Sequence, residues 1–278
     1  MIYLAYDGSL NGDWVARYAI RFAAHSAERT LSAVHVDEGR LAAEALDGKL
    51  EHLGRECRAR GVEFLPEVVP LRRTVFRTLL EQVPAGEESF LVCGTRVRSR
   101  QQAYLSGTVA EKLLHFNPFH VLAIRVVQPG LLGCPRDFLL PLAGHPRLFR
   151  AAWPFFRLFL PDVEQVYLLR GMAVSHLRLR YLSPARLAAL REGGARYLAE
   201  VEEEIRRGRG GAEFHLDSRI VVCDDWAHEI LVHASRLRTR MVLLGASERA
   251  LLHRLLRGNS LERVLRGAPC DVGIYRSP

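Results

Sequence analysis

The stretches LVCGTRVRSRQQAYLSGTVAEKLL, residues 91–114, and LLGASERALLHRLLRGNSLERVLR, residues 243–266, share one layout. In each of them an apolar run ends at a glycine, a loop with several arginines follows, and a second glycine stands before a segment with helical spacing of apolar residues. This layout is typical of a parallel strand followed by a crossover helix. The two stretches therefore predict the same strand–loop–helix unit twice in one chain.

The similarity continues beyond these two stretches. A shift of 151 positions without a gap aligns Gly94 with Gly245, Gly107 with Gly258, Glu111 with Glu262, Pro118 with Pro269, Val121 with Val272 and Arg125 with Arg276. Nearer the amino terminus the shift is smaller, because Asp7 aligns with Ala143, so we expect about 15 extra residues in the second copy around residues 170–184. The long period indicates a duplicated domain, with predicted limits 1–128 and 136–278.

Short β-rich runs alternate with longer segments whose apolar residues recur every three or four positions. The predicted strands are 2–6, 30–36, 63–69, 89–94 and 120–126 in the first copy, and 138–144, 165–171, 214–222, 241–246 and 270–276 in the second. The clearest helical segments are 14–27, 40–61, 74–83, 108–116 and 183–208. Regular alternation predicts an α/β fold in which helices cover both faces of a parallel sheet.

The composition limits the classes of function. Of the 278 residues, 49% are hydrophobic and 25% are charged, as in compact globular proteins. The net charge of +8 comes mostly from arginines dispersed among acidic residues, which argues against a nucleic-acid surface. No secretory signal pattern and no apolar membrane-spanning run are present, so we expect a cytoplasmic protein without membrane contact. The five dispersed cysteines predict buried thiols, not disulfides or a zinc site.

Several of these segments resemble motifs of the universal stress protein family. YLAYDGS, residues 3–9, is similar to the family's first strand, which ends in Val-Asp-Gly-Ser. The spacing from Gly94 to Gly107 and Thr108 is similar to its nucleotide signature of three spaced glycines and a serine or threonine. Residues 108–126 and 259–276 resemble its closing helix and strand. The chain thus resembles a tandem universal stress protein along nearly its whole length.

The resemblance implies two Rossmann-like domains of the adenine nucleotide alpha hydrolase type. Each would be a five-stranded parallel sheet of order 3-2-1-4-5 with helices on both faces. Ligands of such sheets bind where the strand order reverses, outside the carboxyl ends of strands 1 and 4. Both Asp7 and the loop after Gly94 are expected at that crevice in the first domain.

The same resemblance implies that the first domain binds ATP or ADP, with Mg²⁺ accompanying ATP. Asp7 would accept a hydrogen bond from a ribose hydroxyl or the adenine edge, and the backbone near Val36 would meet the adenine. Backbone N–H groups at a glycine and a helix start suit phosphate oxygens. The predicted nucleotide-binding residues are Asp7, Val36, Gly94, Gly107, Thr108 and Val109.

The first domain departs from the family signature at one position, since Val97 replaces the middle glycine. A β-branched residue costs about 1–3 kcal/mol where positive φ is needed. The neighbouring arginines either pair with phosphates or form a solvated loop; they are Arg96, Arg98 and Arg100. Thr108 could equally be an ordinary helix N-cap, and Asp7 could cap the first helix together with Ser9. Both alternatives stay open.

The second domain departs further from the signature. Ala143 replaces the carboxylate of Asp7, and Glu248 stands where the middle glycine is expected, where its charge would repel phosphates. We expect this domain to bind no nucleotide and to supply a partner surface. Tandem copies resemble the two-fold dimers of single-domain relatives, and the chain could itself form a homodimer.

Other apparent motifs predict no chemistry. His228 and His233 lie five residues apart, so on a helix their imidazoles point about 140° apart and do not share a zinc ion. The pair Asp224 and Asp225 precedes a helical segment and reads as an N-cap. Cys93 lies in an apolar strand without a nearby base and is not expected to be a nucleophile.

Two functions follow from the sequence. The first is a stress-response protein in which a nucleotide in the first domain regulates contacts with an unidentified protein partner, with at most slow ATP hydrolysis because no general base is indicated. The second is an interaction module that works without nucleotide. A ligase of the same superfamily is set aside, because YDGSLNGDW, residues 6–14, lacks the serine- and glycine-rich phosphate loop such enzymes carry after strand 1.

Overall fold

A computed structural model describes residues 1–95, 105, 107–116, 118–129, 135–142, 146–246 and 260–278 of the chain. The chain divides into two compact units, one made of Met1–Gly133 and Ile274–Pro278 and the other of Cys134–Gly273. The domain limits 1–128 and 136–278 stay a prediction. Within these described ranges, no helix is both long and apolar enough to cross a bilayer.

The first unit alternates strands and helices as predicted. Its elements are β1 (Ile2–Ala5), α1 (Leu10–His25), β2 (Thr30–Asp37), α2 (Ala43–Arg58), β3 (Glu63–Pro70), α3 (Val75–Gln82), β4 (Gly86–Gly94), α4 (Val109–His115) and β5 (Phe119–Arg125). The strand order is β3-β2-β1-β4-β5. Every neighbouring pair in this unit is parallel.

A second repeat, residues 137–276, has the same plan; it comprises the second unit and the last residues of its final strand, which are counted with the first unit. Its elements are β6 (Asp137–Leu142), α5 (Pro146–Phe159), β7 (Gln165–Ala173), α6 (His176–Arg180), α7 (Pro184–Gly208), β8 (His215–Cys223), α8 (Trp226–Arg236), β9 (Met241–Gly245), α9 (Ser260–Gly267) and β10 (Asp271–Arg276). The strand order is β8-β7-β6-β9-β10. The α/β class and the order 3-2-1-4-5 are therefore confirmed in both units.

Central strands form the core because helices cover both of their faces. Leu4 of β1, Leu91 of β4 and Val121 of β5 are fully buried, whereas the edge strand β3 contains no fully buried residue. In the second unit, the α5 residues Phe155 and Phe159 are buried with Phe138 of β6, and the rings of Phe138 and Phe159 lie 4.8 Å apart. Helix α5, whose interior contains Pro154, is not among the helical segments predicted from the sequence.

The extra residues of the second copy lie where the sequence comparison predicts them. The connection from β2 to β3 has 25 residues, 38–62, whereas the connection from β7 to β8 has 41, 174–214. The added length forms α6 and extends α7 to 25 residues, compared with 16 in α2. Ser183 is the N-cap of α7 and Pro184 its first residue, as predicted.

Candidate functional site

Three of the six predicted residues lie at one edge of the first sheet. The strand order reverses beside β1, and parallel sheets of this kind bind ligands at that place, outside the carboxyl ends of β1 and β4. Ala5 pairs with Cys93 across these strands, so Asp7 and Gly94 follow closely at the same edge. On the other side of β1, Ala5 pairs with Val34, which brings Val36 to that edge as well.

Asp7 is exposed and supports the start of α1. Its Oδ1 accepts hydrogen bonds from the Ser9 N–H at 2.9 Å and from the Ser9 hydroxyl at 2.6 Å. Ser9 is the N-cap of α1, and its Oγ accepts from the Gly12 N–H at 3.0 Å. A side chain at Gly12 would place Cβ 2.7 Å from Asp7 Oδ1. The structure therefore contains the capping arrangement of Asp7 and Ser9.

Gly94 is required by packing at the end of β4. A Cβ at this position would lie 2.5 Å from Asn11 Nδ2 and 3.5 Å from Val15 Cγ2, both on α1. The first distance is shorter than real Cβ contacts allow, so a side chain here would displace Asn11. The absence of a side chain at Gly94 thus makes room for the first turn of α1 at the crevice.

The predicted phosphate donors at the start of α4 have partners within the chain. Gly107 has a φ of 76° and donates its N–H to Glu111 Oε2 at 2.6 Å. The Thr108 hydroxyl accepts from the Glu111 N–H at 3.2 Å and donates to the Leu105 carbonyl at 2.7 Å. The Thr108 N–H donates to the same carbonyl at 3.1 Å. Thr108 is therefore the N-cap of the seven-residue helix α4, which Val109 begins.

Glu111 belongs to this site, although the sequence predicted no role for it beyond its alignment with Glu262. Its side chain is buried, and its Oε2 accepts the Gly107 N–H, the donor that was predicted to bind a phosphate oxygen. The spacing of Thr108 and Glu111 is that of a capping box, a sequence signal that could have identified this role. A phosphate at the Gly107 amide would have to displace the Glu111 carboxylate.

Several predicted features lie outside the described residues. They are Arg96, Val97, Arg98 and Arg100 in the first copy, and Ala143 and Glu248 in the second.

A polar network lies beneath the carboxyl edge of the first sheet. The Tyr6 hydroxyl donates to Asp13 Oδ1 at 2.5 Å, and Lys49 Nζ donates to Asp13 Oδ2 at 2.6 Å. Burial and the hydrogen bond to Asp13 raise the pKa of Tyr6 above its ordinary value, so the phenol stays a neutral donor. The buried His35 ring places Nδ1 2.9 Å from the Tyr6 carbonyl oxygen. These contacts tie β1, β2, α1 and α2 together.

The corresponding edge of the second unit contains an arginine. Arg170 Nη1 donates to the carbonyls of Leu142 and Gly171, both at 3.1 Å. Its guanidinium carbon lies 4.7 Å from the centre of the Tyr197 ring, within the range of a cation–π contact. Burial lowers the pKa of Arg170. The Arg170 guanidinium thus lies beside Leu142, the last residue of β6.

The histidine and aspartate motifs that predicted no chemistry lie on α8 and at its start. His228 and His233 both lie on α8, and no group of three metal-binding side chains occurs among the described residues. Asp225 is the N-cap of α8 and accepts from the His228 N–H at 3.1 Å, as predicted. It also forms a two-point ion pair with Arg263, at 2.7 and 2.9 Å.

The cysteines are buried thiols in the part of the chain that the structure describes. Cys57, Cys93, Cys223 and Cys270 are free and buried. Burial raises the pKa of Cys93 to about 12, so its thiol is protonated at neutral pH and is a poor nucleophile. The prediction of buried cysteines is confirmed for these four.

Comparison with known proteins relates the chain to one family. Residues 173–276 match the universal stress protein family. No curated protein matches the chain.

Solved structures extend the likeness to nearly the whole chain. A universal stress protein from Archaeoglobus fulgidus is 17% identical, with a TM-score of 0.61, and the match covers 99% of this chain and 96% of that one. A protein of unknown function from Pseudomonas aeruginosa is 16% identical, with a TM-score of 0.63 and coverage of 98% and 91%. The cytoplasmic domain of a prokaryotic cation chloride cotransporter is 7% identical, with a TM-score of 0.59 and coverage of 99% and 94%.

At these identities the structural matches show the fold alone. The chain therefore has, along nearly all its length, a fold shared with a universal stress protein, and its residues 173–276 are similar in sequence to the universal stress protein family.

Proposed function

We propose that the chain is a tandem universal stress protein whose first unit binds an adenine nucleotide as a regulatory ligand. The observation that carries this proposal is the meeting of Asp7, Val36 and Gly94 at the edge where the strand order reverses. Parallel α/β sheets bind ligands at this place. In this proposal the protein acts in the cytoplasm during stress, and nucleotide occupancy changes its contacts with a protein partner.

The base and ribose end of the nucleotide suits the residues present. The exposed Asp7 carboxylate is an acceptor for a ribose hydroxyl or the adenine amino group. Backbone groups beyond Val36 would meet the adenine. The second unit is proposed to bind no nucleotide, because Ala143 replaces Asp7 in the sequence and removes the carboxylate acceptor for a ribose hydroxyl or the adenine amino group.

The phosphate end requires a rearrangement. Gly107 has open space around its Cα, but its N–H is bonded to Glu111. Phosphate oxygens and the Glu111 carboxylate are both acceptors, so they would compete for this donor, and their charges repel. Nucleotide binding is therefore proposed to move Glu111 away from Gly107, which would couple occupancy to the start of α4. Mg²⁺ accompanying ATP would reduce the repulsion.

A second candidate function is an interaction module that binds no nucleotide. It is favoured by the same local geometry, because the Gly107 and Thr108 donors already have partners and α4 is capped without a ligand. In that case the glycine at position 94 serves only the packing of Asn11.

Calorimetric titration of the full chain with ATP and with ADP separates the two candidates. Wild-type protein is expected to release or absorb heat, and Asp7→Ala to weaken binding tenfold or more. Asp47→Ala removes another exposed carboxylate of the first unit, on α2, and should leave affinity unchanged. Glu111→Gln should strengthen ATP binding, because a neutral amide competes less well for the Gly107 amide and does not repel phosphate.

No heat with the wild-type chain, together with no adenine released when the purified protein is denatured, would establish the second candidate instead. Binding that is equally weakened by Asp7→Ala and Asp47→Ala would also contradict the proposed site.

A further inference from the structure

The added segment of the second unit forms one wall of a cavity that is open to solvent. It lies between the end of β7, α6 and the first two turns of α7, and its volume is ≈ 690 Å³. Sites for small molecules commonly have volumes of about 300–1,000 Å³. The side chains that matter for its chemistry are Val174, Ser175, Arg178, Leu182, Arg186 and Leu190. The cavity is therefore large enough for a small organic ligand.

The cavity carries positive charge that the described residues do not neutralise. The guanidinium groups of Arg178 and Arg186 form no hydrogen bond or ion pair with any described residue. Residues 174–191 contain four arginines and no aspartate or glutamate. Further along α7 the pattern is different, since Arg206 and Arg207 each pair with a glutamate four residues earlier. The cavity arginines are thus available for an anion.

The remaining walls are mostly apolar. Val174, Leu182 and Leu190 line the cavity, and Tyr181 lies beside them with 80% of its surface exposed. The Ser175 hydroxyl adds one neutral donor, and it makes no capping hydrogen bond to α6. Two guanidinium groups beside an apolar wall match a molecule with an anionic head and an apolar body.

The segment that forms the cavity is fixed to the sheet. The Val174 N–H donates to the Cys223 carbonyl at 2.9 Å, which continues the pairing of β7 and β8. His176 Nδ1 lies 2.6 Å from Asp224 Oδ2 and ties the start of α6 to the end of β8. At the other end, Ser183 Oγ caps α7 by accepting from the Arg186 N–H at 3.3 Å. The amino-terminal end of the segment is therefore tied to the end of β8, and the start of α7 is capped within the segment.

We infer that this cavity is a binding site for a small organic anion, with a carboxylate or phosphate head held by Arg178 and Arg186 and an apolar body against Leu182 and Leu190. Arginine binds carboxylate and phosphate through paired N–H donors, and this geometry supplies two such groups. The inference is independent of the nucleotide proposal, because it uses only residues of the second unit.

The test uses the fluorescence of 8-anilinonaphthalene-1-sulfonate, an organic anion with an apolar body, added to the folded full chain. We expect saturable enhancement that decanoate displaces and that decanol and inorganic phosphate displace at least tenfold less well. Arg178→Ala and Arg186→Ala should each weaken binding tenfold or more. Arg191→Ala removes an exposed arginine of α7 that does not line the cavity, so it should change affinity less than twofold.

Circular dichroism and thermal unfolding of each variant keep the comparison interpretable. Should Arg178→Ala fail to fold, Leu190→Trp provides a second test, since its indole would fill the apolar part of the cavity and should abolish binding of both probes. Decanol that competes as well as decanoate, or an equal loss in Arg191→Ala, would overturn the inference. So would binding only to vesicles of anionic phospholipid with no response to soluble decanoate, which would assign the arginines to a membrane surface. ATP titration of Arg178→Ala should match the wild type, so failure here leaves the nucleotide proposal unaffected.

Discussion

The two units share one strand order but differ in charge at the carboxyl edge of their first two strands. In the first unit, the imidazole ring of His35 bonds the Tyr6 carbonyl, and the exposed carboxylate of Asp7 follows. In the second unit, Arg170 bonds the corresponding Leu142 carbonyl. The sheet fixes where these groups lie, whereas the residues on its edge decide which ligand they suit. Two copies of one fold can therefore carry unlike sites.

A second difference concerns the position after His35 and Arg170. The first unit has Val36 there, and Val75 is the first residue of α3; the second unit has Gly171, and Trp226 is the first residue of α8. A Cβ at Gly171 would lie 2.3 Å from Trp226 Cε3. Each unit thus has a side chain at only one of these two places larger than the other unit's: the first has Val36 on the strand, and the second has Trp226 on the helix. Four predictions test these differences.

The largest effect is expected when the residue of the first unit is placed in the second. Gly171→Val would force its Cβ into the rigid Trp226 ring, and we expect a loss of about 3 kcal/mol of unfolding free energy, at the upper end for overpacked cores. Urea unfolding followed by circular dichroism gives the change. The double variant Gly171→Val/Trp226→Val restores the arrangement of the first unit and should recover part of the loss. If the losses of unfolding free energy from Gly171→Val and Trp226→Val simply add in the double variant, the two positions do not compensate for each other, and the comparison with the first unit is wrong.

The next effect concerns the polar network that only Tyr6 makes possible, because Leu142 takes its place in the second unit. Asp13→Ala removes the acceptor of both the Tyr6 hydroxyl and Lys49, which should cost about 2 kcal/mol. Tyr6→Phe leaves the Lys49–Asp13 pair intact and should cost about 1 kcal/mol. Urea unfolding of each variant, followed by circular dichroism, measures these losses. Equal midpoints for Asp13→Ala and wild type would show that the network does not stabilise the unit.

A smaller effect is expected at the start of α4. Thr108→Ala removes a cap whose oxygen accepts from the Glu111 N–H, and it should cost about 1 kcal/mol. Position 108 aligns with Asn259 of the second copy, and asparagine is also a good cap, so Thr108→Asn should stay within about 0.5 kcal/mol of wild type. Thermal unfolding of the three proteins measures the difference. If Thr108→Asn loses as much as Thr108→Ala, the capping bond does not stabilise α4 and another property of the threonine does.

The sequence predicted the elements of both sheets because strand and helix periods differ clearly along this chain. The order 3-2-1-4-5 followed from the family resemblance, and the extra segment of the second copy followed from the change in alignment shift. Caps at Ser183 and Asp225 were also predictable, since their chemistry is local. The edge position of Asp7 and Gly94 followed from topology.

Other features depend on contacts that a sequence does not display. The guanidinium of Arg170 bonds a carbonyl 28 residues away, and the Asn11 side chain occupies the space above Gly94. The cavity beside Arg178 is lined by residues from the end of β7, α6 and the start of α7, and neither apolar spacing nor charge count indicates such a volume. The role of Glu111 is different, because its spacing from Thr108 was visible and only its meaning for Gly107 required coordinates.

The smallest effect is a pH dependence of the unfolding free energy that the helix cap of α8 should show and the corresponding cap of α3 should not. Thr74 caps α3 in the first unit without a titrating group, whereas Asp225 caps α8 and pairs with Arg263. The hydrogen bond from Arg263 lowers the pKa of Asp225, so the unfolded chain binds this proton more tightly than the folded one. The stabilisation is therefore complete above the unfolded pKa of about 4 and is lost as pH falls through the lower, folded pKa.

Asp225→Thr gives the second unit the cap of the first and isolates this contribution. Because Asp225 and Arg263 are 38% and 52% exposed, the pair should contribute less than about 1 kcal/mol at pH 7. The difference in urea midpoint between wild type and Asp225→Thr should therefore be small at pH 7 and shrink further at about pH 3. Arg263→Gln should remove the same part of the pH dependence, since the lowered pKa depends on its charge. His176 also lowers the pKa of Asp224 next door, so a pH dependence that persists in Asp225→Thr but disappears in His176→Gln would assign it to that neighbouring pair.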